Sequence, residues 1–299
     1  MKKQVILDVD TGIDDAVAIA MALYDNRVDV KLITCIAGNL SVDEVTKNTL
    51  NFVQAIDKKK VIVAKGESKP LYREKDNSIQ AHGKSGLGKV KFPSCEITTC
   101  KENAVKKMHE ILLKSKTPID IILLGPHTNL AKLLLEHPEV KEKIGTIVVS
   151  GGLLSDRNYL GYNVAQDPES AKIVFESGLN LIICPSDLGH DAYLTPEEVE
   201  LTRTTNKTGE MFECMFRSYR DRHVKIGIAT HDSCAIMCYS RPEMCKFENM
   251  YVHIRFVKKV NTGIIDFDRK NENPNMQVAV GIDKIKFKRH YFKLLKKMP

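Results

Sequence analysis

Short apolar runs alternate along the chain with longer stretches in which apolar residues recur every three or four positions. The short runs predict β-strands, and the longer stretches predict amphipathic helices. Strands are predicted at residues 4–9, 30–37, 61–64, 119–124, 145–150 and 180–184. Helices are predicted between them at 14–24, 43–57, 101–115, 128–137 and 168–177. This alternation predicts an α/β fold with an open, mostly parallel sheet flanked by helices and a Rossmann-like core.

The pattern changes after residue 190. Helical periodicity extends over 196–223, and a short helical piece follows near 231–239. Residues 250–283 then have the pattern of short strands, with turns predicted at Thr262-Gly263 and Asn273-Pro274. No internal repeat, low-complexity tract or linker interrupts the chain. We therefore expect one domain over residues 1–299, with a helical and short-strand appendage near its C-terminus.

Polar residues gather directly after the predicted strands. Asp8 and Asp10 lie at the end of the first strand, and Asn39 follows the second. Residues 125–129 and Gly151-Gly152 follow two later strands. Because the carboxyl ends of parallel strands share one edge of a sheet, we expect an active site to assemble there.

Four carboxylates crowd into residues 8–15, namely Asp8, Asp10, Asp14 and Asp15, around a turn at Gly12. The helix dipole favours the two carboxylates in the first turn of the following helix, but it does not account for all four. Four like charges repel unless a cation lies among them, and oxygen ligands suit Ca²⁺ or Mg²⁺ better than zinc. The alternative is a solvated turn with a helix N-cap.

Composition and charge narrow the class of protein. The 299 residues are 43% hydrophobic, which is enough for one large core, and no apolar run approaches the roughly 20 residues of a membrane span. Asp8 interrupts the first apolar run too early for a signal peptide, so we expect a cytoplasmic protein that binds no membrane. The net charge of +7 is concentrated in residues 284–297, which we interpret as a solvated basic face and not as a nucleic-acid site. Of the eight cysteines, Cys35, Cys184 and Cys234 lie in apolar segments and are expected to be reduced core thiols.

Two enzyme classes match the chain only in part. A haloacid-dehalogenase-type phosphatase also opens with strand-Asp-x-Asp, but there a Thr or Val usually stands four residues after the first Asp, where this chain has Gly12. Residues 83–90 nearly match a phosphate-binding P-loop, but Val90 replaces the hydroxyl residue and no strand precedes the segment. We interpret that segment as a glycine-rich flap.

A third match is more extensive. Residues 8–16, Asp-Val-Asp-Thr-Gly-Ile-Asp-Asp-Ala, resemble the signature of the inosine–uridine-preferring nucleoside hydrolase family. Further segments resemble the family's motifs in the family's order: Ala37-Gly38-Asn39, His82-Gly83 with residues 85–88, residues 124–131, Gly151-Gly152, Asn163, residues 167–171 and His231-Asp232. The resemblance spans nearly the whole chain. It implies hydrolysis of the N-glycosidic bond of ribonucleosides, with a small-molecule ribonucleoside as the partner and a homodimer or homotetramer as the assembly.

The resemblance also implies residue roles. A Ca²⁺ ion would be held by the carboxylates of Asp10, Asp15 and Asp232 and by the backbone carbonyl of Thr128. Asp10 would be the general base, and His231 would donate a proton to the departing base. Asp8 is expected to be a structural carboxylate.

Other positions match the family's substrate contacts. Asp14, Asn39 and Asn163 correspond to residues that hydrogen-bond the ribose, and His82 and Tyr219 are expected to line the base pocket. For Tyr219, a core tyrosine is the alternative.

The loop before Asn163 departs from the family pattern. The family usually has a Glu where this chain has Gly161, and its earlier Asn corresponds to Asn158 only if a gap is placed after that residue. This leaves alternatives open: a weak enzyme or one specific for 5′-modified nucleosides, a non-catalytic nucleoside-binding protein, or a protein with a structural Ca²⁺.

Overall fold

A computed structural model describes residues 2–74, 85–156, 158–159, 161–219, 222–223, 226–258 and 262–299, with only the backbone of 222–223. Its main sheet has nine strands: β1 Lys3–Val9, β2 Val28–Cys35, β3 Val63–Lys65, β4 Ile119–Leu123, β5 Ile144–Ser150, β6 Asn180–Cys184, β9 Cys245–Val257, β10 Thr262–Asp268 and β11 Met276–Ile282. Two short strands, β7 Arg222–His223 and β8 Gly227–Ile228, pair separately.

The strand order in the main sheet is β10-β9-β11-β6-β5-β4-β1-β2-β3. From β3 to β11 all neighbours are parallel, whereas β9 is antiparallel to both β11 and β10. The predicted open, mostly parallel sheet is therefore confirmed. The C-terminal strands, expected as a short-strand appendage, extend the same sheet as its antiparallel edge.

One predicted turn is wrong. Thr262 and Gly263 lie in β10, paired with Val257 and Phe256 of β9. The strand forms there because Ile264 and Ile265 are buried against the core, and this packing outweighs the local turn signal of the glycine. The predicted turn at Asn273-Pro274 does lie between two strands, β10 and β11.

Eleven α-helices occur in the described residues: α1 Ile13–Tyr24, α2 Val42–Ala55, α3 Ala104–Lys114, α4 Thr128–Glu136, α5 Tyr162–Gln166, α6 Pro168–Phe175, α7 Asp187–Asp191, α8 Pro196–Thr205, α9 Lys207–Phe216, α10 His231–Ser240 and α11 Lys284–Leu295. Two 3₁₀ helices, Pro138–Lys143 and Pro242–Met244, accompany them. The helix predicted over 196–223 is divided at Asn206, which has an extended backbone and caps α9 by accepting a hydrogen bond from the Gly209 N–H at 2.9 Å.

Apolar side chains cover both faces of the sheet. Along β1, Val5 and Leu7 join one buried cluster and Ile6 joins the other, as the two-residue period of a strand requires. Cys35, Cys184 and Cys234 are buried free thiols, as expected. Among the described residues, no helix combines the length and the apolar character needed to cross a bilayer.

A buried charged cluster holds together the far ends of two helices. Asp25 is the C-cap of α1 and Arg241 is the C-cap of α10. Asp25 accepts hydrogen bonds from Arg241 Nη2 at 2.8 Å and from His290 Nε2 of α11 at 3.0 Å. Burial by itself would raise the pKa of Asp25, but hydrogen bonds from His290 and the Arg27 backbone, with the charge of Arg241, lower it to about 2. The cluster therefore ties three helices to one ionised carboxylate.

Replacing Asp25 with Ala should lower the free energy of unfolding by about 3–5 kcal/mol, because it leaves two buried cationic or polar side chains without their partner. Urea unfolding followed by circular dichroism measures this. The control is Asp43→Ala, which removes an exposed ion pair with Lys65 and should cost less than about 1 kcal/mol. Equal losses in the two variants would contradict the assigned role of the cluster.

Candidate active site

An open cavity of about 80 Å³ lies at the carboxyl edge of the main sheet. Its lining comes from strand ends, from the first turns of α1, α5 and α10, and from loops: Asp10, Asp14, Asp15, Asn39, Leu124, Ser150, Gly151, Gly152, Tyr159, Gly161, Tyr162, Asn163, Ser186, Tyr219, His231 and Asp232. The polar residues that follow the parallel strands therefore do meet at one edge.

Three carboxylates converge in this cavity. Asp14, Asp15 and Asp232 each place a carboxylate oxygen within 4.8 Å of the others, and all three residues are buried. Asp14 and Asp15 lie in the first turn of α1, and Asp232 lies in the first turn of α10. Both helix N-termini favour negative charge, but only by about 0.3–2 kcal/mol for each carboxylate.

Backbone and hydroxyl donors orient these carboxylates. Asp15 accepts hydrogen bonds from the Gly12 N–H at 2.9 Å and from the Asp10 N–H at 3.2 Å. Ser150, at the end of β5, donates its hydroxyl to Asp232 at 2.8 Å. Even so, burial and then the neighbouring negative charges raise the pKa values of Asp15 and Asp232 well above the usual range.

Asp10 lines the same cavity from the end of β1. Its Oδ2 accepts a hydrogen bond from the Asn39 N–H at 2.8 Å. Burial, together with the charges of Asp14 and Asp8, raises the pKa of Asp10 to about 7 in spite of that bond. A carboxylate with such a pKa can accept a proton near neutral pH.

Asp8 is equally buried but does not line the cavity. Its Oδ1 accepts hydrogen bonds from Thr34 Oγ1 at 2.5 Å and from Asn129 Nδ2 at 2.8 Å, while its Oδ2 is a buried atom without a hydrogen-bond partner. Burial raises the pKa of Asp8 to about 7. Asn129 also donates to the Cys35 carbonyl, so Asp8 helps to fasten α4 against β1 and β2.

His231 begins α10 at the opposite wall. Its Nδ1 lies 3.1 Å from the Ser186 carbonyl oxygen, which can only accept, so Nδ1 carries a proton. The ring also contacts His190 edge to face, with centroids 5.0 Å apart, and a Cβ added at Gly189 would overlap Nδ1. The absence of a side chain at Gly189 is what lets α7 approach the ring.

Four of the residues expected to contact a ribose or base also line the cavity: Asp14, Asn39, Asn163 and Tyr219. Tyr219 is buried and donates its hydroxyl to Asp14 Oδ2 at 2.9 Å. Asn163 donates from Nδ2 to the Leu124 carbonyl oxygen at 2.5 Å. Asn39 donates from its side chain to the Asp10 carbonyl oxygen at 3.2 Å. Each of these side chains is thus held in place by a second residue of the same cavity.

Thr128, whose carbonyl oxygen is the expected backbone ligand, lies outside the cavity lining. Thr128 is buried and donates its hydroxyl to Asp167 Oδ2 at 2.6 Å. As the first residue of α4 it directs its carbonyl along the helix. Leu124, just after β4, does line the cavity, and its carbonyl oxygen accepts the hydrogen bond of Asn163; sequence reasoning missed this residue. The following Gly125, whose added Cβ would lie 3.1 Å from the Asp10 N atom, was the signal for this close backbone approach.

Three further positions singled out in the sequence are Asn158 and Gly161, in the loop before α5, and His82. Asn158 is exposed and is not among the residues that line the cavity, whereas Tyr159 is. Gly161 does line it, and an added Cβ there would lie 3.3 Å from the Gly152 N atom. His82 lies outside the described residues.

Residues 85–103 contain no helix, so the P-loop interpretation lacks the helix that it requires.

Comparisons with known proteins agree in one family. A family model described as inosine-uridine preferring nucleoside hydrolase matches residues 5–289. The chain is 34% identical over 285 residues to a protein from Salmonella enteritidis PT4 named non-specific ribonucleoside hydrolase RihC, and the match covers 93% of both chains.

Solved structures give the same result. The chain is similar to a plant nucleoside hydrolase, PpNRh1, with a TM-score of 0.90, 25% identity and 99% of each chain covered. It is also similar to a purine-preferring ribonucleoside hydrolase from Gardnerella vaginalis, with a TM-score of 0.88, 28% identity and coverage of 99% of this chain and 98% of that one.

The acidic cavity predicts a pH-dependent response to a divalent cation. Asp10, which lines the cavity, has a pKa raised to about 7 from an ordinary value of 3.8. Without a cation, the stability that Asp10 contributes is present below about pH 4 and is lost as the pH rises through 7. A cation binds the ionised form, so the rise in Tm caused by adding Ca²⁺ to chelator-treated protein should be larger at pH 8 than at pH 5. Scanning calorimetry measures it, and an equal rise at both pH values would contradict the cation site.

Proposed function

The chain belongs to the inosine–uridine-preferring nucleoside hydrolase family, and on that premise we propose that it hydrolyses the N-glycosidic bond of ribonucleosides to ribose and a free purine or pyrimidine base. The observation that carries the proposal is the convergence of buried carboxylates, amide side chains and one histidine in a single open cavity. A ribosyl group that becomes cationic as its bond to the base breaks is stabilised by such negative charge.

We propose Ca²⁺ as the cofactor. Its ligands would be the carboxylates of Asp10, Asp15 and Asp232 with the carbonyl oxygen of Leu124. An all-oxygen donor set suits Ca²⁺, and the raised pKa values of Asp15 and Asp232 mark a site whose negative charge is poorly balanced by the protein alone. When bound, the ion supplies positive charge that offsets the carboxylates, holds ribose hydroxyls and makes nearby water more acidic.

Asp10 is proposed as the general base. It lines the cavity and has a pKa of about 7, so it can take a proton from the water that attacks the anomeric carbon. The Asn39 N–H keeps one carboxylate oxygen fixed, which orients the other. The carboxylate of Asp14, held by Tyr219, is proposed to hydrogen-bond a ribose hydroxyl. Asn39 and Asn163 are proposed as further ribose contacts.

His231 is proposed as the proton donor to the departing base. The Ser186 carbonyl oxygen accepts from Nδ1 and so orients the ring at the cavity, and we propose that Nε2 carries the transferable proton. Protonation matters because a purine or pyrimidine anion is a poor leaving group. Tyr219, twelve residues earlier in the chain, is proposed to line the base side of the same cavity.

We propose that residues 1–299 form one domain, since strands from both ends of the chain share one sheet. We propose a cytoplasmic location, which the eight free cysteines support because thiols stay reduced in that compartment. A homodimer or homotetramer is proposed from the family alone.

Release of free base from inosine, adenosine, guanosine, uridine and cytidine, with and without a chelator, tests the function. We expect release from at least one nucleoside and its loss after chelation, restored by Ca²⁺. Tight nucleoside binding without release would instead indicate a binding protein. Release unaffected by a chelator would contradict the cofactor assignment but not the activity.

The variant Asp10→Asn tests whether Asp10 is the general base. Turnover should fall by about 10²–10⁴-fold with the fold retained, because the amide keeps the size of the carboxylate but cannot accept the proton. Asp8→Asn is the matched control: it changes a carboxyl whose pKa is equally raised, to about 7, but which lies outside the cavity. Similar losses in both variants would contradict the assignment.

Gly189→Ala tests the positioning of His231. The new methyl group would overlap Nδ1 and displace the ring, and a displacement of about 1 Å can cost about 10²-fold in rate. We expect kcat for a natural nucleoside to fall strongly, while 4-nitrophenyl riboside, whose leaving group needs no proton, is affected much less. Gly281→Ala is the control, because its added Cβ meets Lys246 at an ordinary 3.8 Å. Equal losses on both substrates would contradict the assigned proton transfer.

A further inference from the structure

Two histidines and a glutamate meet on the surface away from the cavity. His109 lies on α3, His137 is the C-cap of α4, and Glu139 lies in the 3₁₀ helix Pro138–Lys143 that follows. Each offers one ligand atom, and these atoms all lie within 4.8 Å of one another. Glu139 Oε1 is 3.1 Å from His109 Nε2 and 3.5 Å from His137 Nδ1.

We propose that His109, His137 and Glu139 form a binding site for a divalent transition-metal ion of the zinc class. Imidazole nitrogens with one carboxylate are the donor set that Zn²⁺, Co²⁺ and Ni²⁺ prefer and that Ca²⁺ does not. Ligands placed about 2.0–2.1 Å from a tetrahedral ion are about 3.4 Å apart. The two separations from Glu139 Oε1 already bracket that value.

The ligands are arranged before any ion binds. The two imidazole rings stack nearly parallel, with centroids 3.8 Å apart and planes 13° apart. Their side chains are 22% and 33% exposed, while that of Glu139 is 55% exposed. The rings are thus partly fixed by packing, and the open side toward solvent leaves room for water as the remaining ligand.

This site is separate from the acidic cavity in place and in chemistry. Helix α4 starts at Thr128, near the carboxyl edge of the sheet, and ends at Glu136, directly before His137. Nine helical residues span about 14 Å, so the site lies at the opposite end of α4 from the cavity. The acidic group in the cavity, Asp14, Asp15 and Asp232, offers carboxylate oxygens, whereas this site offers two imidazole nitrogens. The two sites should therefore select different ions.

An ion bound here would connect three neighbouring helical segments. Because the ligands come from α3, the end of α4 and the 3₁₀ helix, the ion would bind the folded chain and not the unfolded one. It would raise Tm in a concentration-dependent way.

The test uses the full chain saturated with Ca²⁺ and probed with Co²⁺. Equilibrium dialysis should find one Co²⁺ per chain, with visible absorption bands of nitrogen and oxygen coordination and no sulfur charge-transfer band. His109→Gln and His137→Gln should each weaken this binding by about tenfold or more. Zn²⁺ should displace Co²⁺ and raise Tm in the parent protein but not in His137→Gln.

Glu142→Gln is the matched control, because it removes an exposed carboxylate from the same 3₁₀ helix and should leave Co²⁺ binding unchanged. Absence of bound Co²⁺, a sulfur charge-transfer band, or equal binding by the parent and both histidine variants would overturn the proposal. None of these results depends on base release, so the site and the proposed hydrolase activity can fail separately.

Discussion

Repulsion between buried carboxylates is the constraint on which this fold depends most. Asp14, Asp15 and Asp232 lie within 4.8 Å of one another, and all three residues are buried. Neighbouring N–H and hydroxyl donors and two helix N-termini reduce the electrostatic cost but do not remove it, since the pKa values of Asp15 and Asp232 stay raised. A folded protein can hold such an arrangement only when a proton or a cation supplies the missing positive charge. The unbalanced negative charge lowers the stability of the fold, and it also favours the binding of a cation in the cavity.

The rest of the molecule holds that arrangement together. Helices α1 and α10 both start at the cavity, and both end at the cluster around Asp25, where α11 joins them through His290. Each helix is thus fixed at both ends. The acidic first turns cannot move apart to relieve their repulsion unless a buried ion pair also breaks. The favourable ion pair at Asp25, at one end of α1 and α10, therefore holds in place the mutually repelling carboxylates at the other end.

Sequence patterns predicted the parts of the fold that depend on local periodicity. The parallel strands from β1 to β6 and the start of α1 follow directly from apolar runs and turn residues. The patterns failed where long-range contacts decide: Thr262 and Gly263 form a strand because β9 pairs with them. In the site, motif order predicted side chains that line the cavity, such as Asp10, His231 and Asp232, but the lining residue of the Leu124–Asn129 segment is Leu124 and not Thr128. Each side chain can be identified from the sequence, whereas the direction of a backbone carbonyl depends on where the strand before it ends.

Asp8, in β1, and Asp10, just after it, show how the position of a carboxyl decides its chemistry. Burial raises the pKa values of Asp8 and Asp10 equally, to about 7, so pKa alone does not distinguish them. Asp8 is bonded to Thr34 and Asn129, neither of which lines the cavity, and its remaining oxygen is enclosed by protein. Asp10 lies two residues further along, where the strand has ended and the cavity begins. A raised pKa therefore marks a catalytic candidate only when the carboxyl also faces space that a substrate can enter.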